Sequence, residues 1–165
     1  MTQLPEVRWP EFYAPHACPV HVRNELDMAA SQVNVWAWLT RPTLWPTWYV
    51  NSADVEILGG SGPCLKEGTR FRWKTFGVRI ICTVQECVPG ERIAWDGKAF
   101  GVDVYHAWAL QPSARGCYVL TEETQHGVLT RLAKLFMPNR MYRYHQVWLE
   151  ELERKALAGL PEKTQ

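Results

Sequence analysis

Six short stretches follow one another between residues 53 and 125, and the gaps between them leave no room for a helix. They read ADVEILGG, TRFRWKTF, VRIICTVQECV, ERIAWDGKAF, VDVYHAWALQ and CYVLTEETQ, separated by turn signals such as GGSGP, Gly77, VPGE and QPSARG. A parallel crossover needs a dozen or more residues, so these stretches can only pair as a meander of antiparallel hairpins. The alternation is clearest in TRFRWKT, which puts Arg70, Arg72 and Lys74 toward water and Phe71, Trp73 and Thr75 inward. In VYHAWAL the set His106, Trp108 and Leu110 shares one face.

The flanks complete the pattern. From Val20 the chain alternates with Val20, Val22, Asn24 and Leu26 on one side and His21, Arg23, Glu25 and Asp27 on the other, a half-buried strand. AASQVNVWAWLTRP then predicts a short helix that starts on Ser31 as N-cap, carries Val35, Trp36 and Leu39 on one face, and stops before Pro42. RPTLWPTWYV predicts one or two further turns opened by Pro42, with Trp45 and Trp48 on a shared face. Beyond the strands, GVLTRLAKLFMPNRMYRYHQVWLEELERKALAG has helical period. Leu132, Leu135 and Phe136, then Met141, His145, Trp148, Leu149 and Leu152 mark the apolar face; Pro138 breaks it and Gly159 closes it.

With 165 residues, 47% hydrophobic and 21% charged, the chain is expected to form one domain over residues 19–160. An arm, residues 1–18, precedes it and a tail, residues 161–165, follows. The arm carries Pro5, Pro10, Pro15 and Pro19 and is therefore extended. Its Trp9, Phe12 and Tyr13 need a surface, either on the domain or on a second copy in a homodimer. A net charge of +1 leaves no electrostatic footprint for nucleic acid. No apolar run reaches the roughly 18 residues of a membrane span, and no signal peptide is evident. Five scattered cysteines without a C-x-x-C pair read as reduced core thiols in a cytoplasm.

Nine tryptophans are many for such a chain, and four of them, Trp36, Trp38, Trp45 and Trp48, fall within thirteen residues. Large rings with an N–H that wants a partner either stack into a solid core or wall a hollow.

Taken in order, AASQVNVWAWLTRPTLWPTW, GTRFRW, ERIAWDGKAFGVDVYHAWALQP, TEETQHG and HQVWLEELERKA make this chain similar to the START-like helix-grip (SRPBCC) superfamily, in its bacterial polyketide cyclase/dehydrase-like branch. The resemblance covers residues 19–158. It implies an α+β helix-grip fold like that of the birch-pollen allergen: a curved antiparallel sheet wrapped around a long C-terminal helix, with two short helices closing one end. It also implies a hollow between sheet and helix for a small hydrophobic ligand, lipid or polyketide-like. Trp48 would match a recurrent tryptophan of the second short helix, at the end of that hollow. The lining expected on this basis comprises Trp36, Trp48, Phe71, Trp73, Trp95, His106, Trp108, Thr121, Glu123, Phe136, Met141, His145 and Trp148. Near FMPN the same arrangement places a pliable turn, the natural gate for a ligand.

Catalytic signatures are few. No H-E-x-x-H and no histidine beside a cysteine pair is present, so neither a metal nor another cofactor is expected. There is no G-x-S-x-G, and GGSGPCLKEGT is not a phosphate-binding loop. One polar pair stands out. If VYHAWAL and CYVLTEETQ pair across QPSARG, one register sets His106 opposite Glu123 and Trp108 opposite Thr121, all inward; a slip of one residue brings in Glu122 instead. An inward His beside a carboxylate either orients the polar end of a ligand or serves as a general base in a cyclase or dehydratase. Arg79 and Arg140 are further candidates for a ligand carboxylate or hydroxyl. A binding domain, an enzyme of the cyclase type and a protein-interaction or co-chaperone module are the three readings left open.

Overall fold

The computed structural model describes residues 5–60 and 62–162; the first four residues of the arm and residues 163–165 of the tail lie outside this range. Seven strands form one antiparallel sheet: β1 (Val20–Met28), β2 (Ala53–Leu58), β3 (Arg70–Thr75), β4 (Val78–Val88), β5 (Arg92–Ala99), β6 (Val102–Pro112) and β7 (Cys117–His126). Their order is β1-β7-β6-β5-β4-β3-β2, so β2 to β7 are a meander of hairpins and β1 pairs with the last strand. Register shifts between Ala53 and Glu56 and between Val84 and Glu86 are the local irregularities that bend such a sheet.

Helix α1 (Gln32–Leu39) starts where Ser31 Oγ accepts from Asn34 N, 3.3 Å away, and a 3-10 helix, Pro42–Thr47, follows it. At the other end Pro138 divides the helical pattern into α2 (Val128–Phe136) and α3 (Arg140–Leu157). His145, Trp148, Leu149, Leu152 and Ala156 form the buried stripe of α3, at the spacing of one helical face, and the sheet curls around it.

Helix α2 is turned differently from what its apolar spacing suggests. Leu132, Leu135 and Phe136 are exposed, whereas Thr130 is buried. The orientation is dictated by the start of the helix. Gly127, at φ 121°, sits so close to the next hairpin that a Cβ would lie 2.2 Å from Gly101 O, and Leu129 then packs over Gly101. The helix is thus pinned by its first turn, and the face it offers inward is the one carrying Thr130 and Ala133.

The tryptophans resolve into a packed core. Trp45 is buried, its Nε1 donates to Leu39 O at 3.0 Å, and its ring lies within 5.2–5.8 Å of Phe71, Trp73, Trp95 and Trp148. The arm finds its surface on the outer face of the sheet. Tyr13 stacks on Tyr105 at 5.2 Å and donates to Asp103 at 2.6 Å, and Trp9 lies 5.8 Å from Tyr105. Phe12 does not share this burial; it stays 58% exposed, against His126.

Candidate functional site

A cavity of about 230 Å³ lies between the sheet, α2 and α3. Four strands supply alternate residues to it: Trp73 and Thr75 from β3, Val78, Ile80 and Cys82 from β4, Val102, Val104 and His106 from β6, Glu123 and Gln125 from β7; β5 adds Trp95, and the start of β1 adds Val20 to Val22. Gly97 on β5 lets these walls close together, since a Cβ there would meet Ile80 and Cys82 within 3 Å. Tyr49, flat against Trp148 at 4.4 Å, walls one side. The lid is α2, through Leu129, Thr130, Ala133 and Lys134, and the break that follows it, Met137 and Pro138.

The pairing of β6 with β7 sets His106 opposite Glu123 and Trp108 opposite Thr121. Glu122 points to the other face, where it bonds His21 and Arg23. Three buried polar side chains meet at the inner end of the cavity. His106 Nδ1 is 3.0 Å and His145 Nε2 3.4 Å from Glu123 Oε2, and Gln125 donates to Glu123 Oε1. His106 Nε2 lies 2.8 Å from Thr121 Oγ1, while His145 Nδ1 is buried without a partner among the described residues.

This network decides the protonation. Burial by itself would raise the Glu123 carboxyl, but attraction to and hydrogen bonds from His106 and then His145 hold it well below the usual carboxylate range, so it is ionised. Burial lowers His106 below its ordinary 6.5, against the pull of Glu123. A neutral His106 that gives its Nδ1–H to Glu123 must take the Thr121 hydroxyl proton at Nε2, and both of its nitrogens are then used. His145 turns Nε2 to the same carboxylate, and its Nδ1 has no partner among the described residues.

The cluster could also hold a metal, which no spacing in the sequence announced. The three ligating atoms of His106, Glu123 and His145 lie within 4.8 Å of one another, a two-histidine, one-carboxylate set. As arranged, Glu123 Oε2 takes a hydrogen bond from each imidazole. Cys82, the one thiol on the cavity wall, is raised far above its ordinary value by burial and stays protonated, which makes it a packing group rather than a nucleophile.

Of the lining expected from the sequence, Trp73, Trp95, His106, Glu123, Met141, His145 and Trp148 are on the wall. Six residues are not. Trp48 and Phe71 belong to the packed core, so of RPTLWPTWYV it is Tyr49 that reaches the cavity. Trp36 packs on the core from α1, Trp108 lies behind His106 and Trp148, and Thr121 backs His106. Phe136 is 75% exposed because of the turn of α2. Arg79 pairs with Asp54 on the surface at 3.0 Å, whereas Arg140 does line the cavity. Ile80, Cys82 and Val104 were legible in principle, since each continues the alternation of its strand; Thr130 and Ala133 were not.

The family model for polyketide cyclase / dehydrase and lipid transport matches residues 19–157. The chain belongs to this family. Among solved structures, a hypothetical protein of Helicobacter pylori is 30% identical, with a TM-score of 0.86 over 94% of this chain and 99% of its own. The di-domain ARO/CYC protein StfQ of the steffimycin biosynthetic pathway is 14% identical, with a TM-score of 0.68, over 84% of this chain and 51% of its own. Truncated norcoclaurine synthase from Thalictrum flavum is 15% identical, with a TM-score of 0.63, over 87% and 95%. The last two likenesses are of fold alone. A comparison with curated proteins finds no significant match. No helix among the described residues is long and apolar enough to cross a membrane.

Proposed function

We propose that this member of the family binds a small hydrophobic or amphipathic molecule in the cavity between sheet and α3, with the polar end of the molecule on the Glu123–His145 cluster. The observation that carries the reading is an apolar hollow whose wall holds one buried, ionised carboxylate, Glu123, flanked by the imidazoles of His106 and His145. The size of the hollow narrows the class. At interior packing density a 230 Å³ cavity holds ~170 Å³ of atoms, about the bulk of two fused rings with a substituent. Calorimetric titration with 2-naphthol tests this: saturable one-to-one binding with a rise in melting temperature is expected, and no heat and no shift with any two-ring probe would end the reading.

One observation favours a second reading, proton transfer in a cyclase or dehydratase. In this reading His145 is the base, oriented by Glu123 and with no partner at Nδ1 among the described residues, while His106, held by Thr121, only positions that carboxylate. The check is exchange of the α-protons of 2-tetralone in heavy water, followed by NMR. Exchange that His145→Gln removes and His106→Gln merely slows would support an enzyme; exchange equal to buffer alone would leave the binding reading by itself.

A further inference from the structure

The cavity has two unlike ends, and the outer end carries the opposite charge to the inner one. Arg140 and Lys134 are the only arginine and lysine on its wall, and neither lies within salt-bridge distance of a carboxylate among the described residues. Arg23, Arg72, Arg79, Arg92 and Arg154 are each paired with one, and of the described arginines that are not, Arg140 is the one on the cavity wall. Lys134 Nζ spends one donor on Pro19 O at 2.9 Å. The guanidinium of Arg140 has as its nearest hydrogen-bond partner a thioether, Met137 Sδ at 3.8 Å, so its forked donors are effectively unused.

Arg140 is nonetheless held in place. Its guanidinium carbon lies 5.3 Å from the ring centroid of Phe76 and 5.9 Å from that of Tyr144, and those two rings meet edge to face at 5.4 Å. Phe76 occupies the left-handed region, φ 50°, a conformation that costs a β-carbon residue about 1 kcal/mol or more, and its N–H is caught by Asn51 Oδ1 at 2.8 Å. A strained turn thus sets an aromatic ring against a cation at the rim of a cavity.

From these observations we infer that the occupant is an amphipathic acid: its carboxylate on Arg140 and Lys134 at the mouth, its body along the apolar wall, and a hydroxyl at the far end on Glu123 and His145. The inference rests on the binding reading above and adds the polarity and length of the ligand. Among the described residues Glu123 is the one carboxylate on the wall and it is buried, whereas both cations are at the outer end, so a ligand anion is drawn to the outer end rather than the inner. Arg140 and His145 both stand on α3, five residues and about 7.5 Å of axial rise apart, so a naphthalene with a polar group at each end is a probe of the right order of length.

The experiment compares 6-hydroxy-2-naphthoate, 2-naphthoate and 2-naphthol by calorimetry on the full chain. The hydroxy acid should bind at least tenfold more tightly than 2-naphthol, with a preference that shrinks in 0.5 M salt. Arg140→Gln should lower the affinity for both acids about tenfold and leave 2-naphthol within twofold; Arg140→Lys should recover part of the loss, and Lys134→Gln should repeat it in weaker form. Equal affinity for 2-naphthol and the hydroxy acid, or an Arg140→Gln variant that weakens all three probes alike, would overturn the inference and leave the binding site intact. Should none of the three bind, the cavity reading itself falls, and this one with it.

Discussion

Thr121 has no surface on the cavity, yet it completes the buried network. The ionised Glu123 carboxylate can only accept, which keeps the proton of His106 on Nδ1, and the Thr121 hydroxyl then donates to Nε2. Thr121→Val keeps the shape and removes that partner, and we expect a loss of about 1–3 kcal/mol in denaturant unfolding. The pH dependence runs in one direction for both titrating groups. Glu123 lies below its ordinary 4.5, so the unfolded chain takes up that proton first; its contribution is complete above about pH 5 and is lost in acid. His106 lies below 6.5, and the unfolded chain again binds the proton first, so this contribution is complete above about pH 6.5 and fades below it. Melting temperature measured from pH 8 to pH 3 should therefore fall in two stages, the upper one flattened in His106→Gln and the lower one in Glu123→Gln. Slopes that match wild type in both variants would contradict the protonation described here. His106 and Glu123 could be read from strand alternation, and the choice between Glu122 and Glu123 needed only the register of one hairpin. His145 as the third member could not, because nothing in a helix twenty residues downstream says which turn it lays against that strand.

Helix α2 is the element least determined by its own residues. Its apolar spacing is that of a buried stripe, but tight contact at Gly127 and Gly101 turns Leu132, Leu135 and Phe136 to solvent. Two outcomes follow. Phe136→Ser should change stability by no more than about 0.5 kcal/mol, whereas Leu149→Ala in the buried stripe of α3 should cost about 2–5 kcal/mol. Gly127→Ala forces a Cβ into backbone at a φ that alanine avoids, and should unseat the lid, seen as faster amide exchange over 128–136 than in α3. If the exchange of α2 matches that of α3 in wild type, and 6-hydroxy-2-naphthoate slows neither, the lid does not gate the cavity and a ligand enters elsewhere.

On the scale of the whole molecule the sheet is covered on both faces. α3 and the tryptophan core fill the concave side, and the arm lies along the convex side through Trp9 and Tyr13. The two coverings protect different surfaces, so their losses should be separable. Removing residues 1–17 takes away Tyr13, its bond to Asp103 and the bond of Thr124 Oγ1 to Tyr13 O; about 3 kcal/mol of stability should go, with 6-hydroxy-2-naphthoate binding retained. Trp45→Ala opens the middle of the aromatic core and should cost about 3–5 kcal/mol. An arm deletion with an unchanged melting curve would show that its rings cover the sheet without stabilising it.

What the sequence determined by itself is everything set by local period and chain length. Hairpin gaps too short for a crossover force the meander, alternation assigns the face of each strand residue, Ser31 and Pro42 place the start and end of α1, and Pro138 divides the C-terminal helical pattern. Only the tertiary structure could decide the rest, because it depends on distances between segments far apart in the chain. It buried Trp45 and Trp48 in a core and left Tyr49 on the cavity, turned α2 over, and brought His145 of a helix to Glu123 of a strand. It also put Arg140 on the cavity wall with no carboxylate partner among the described residues. Period tells a residue which side of its own element it is on; where that side faces is fixed by the steric fit of one element against another.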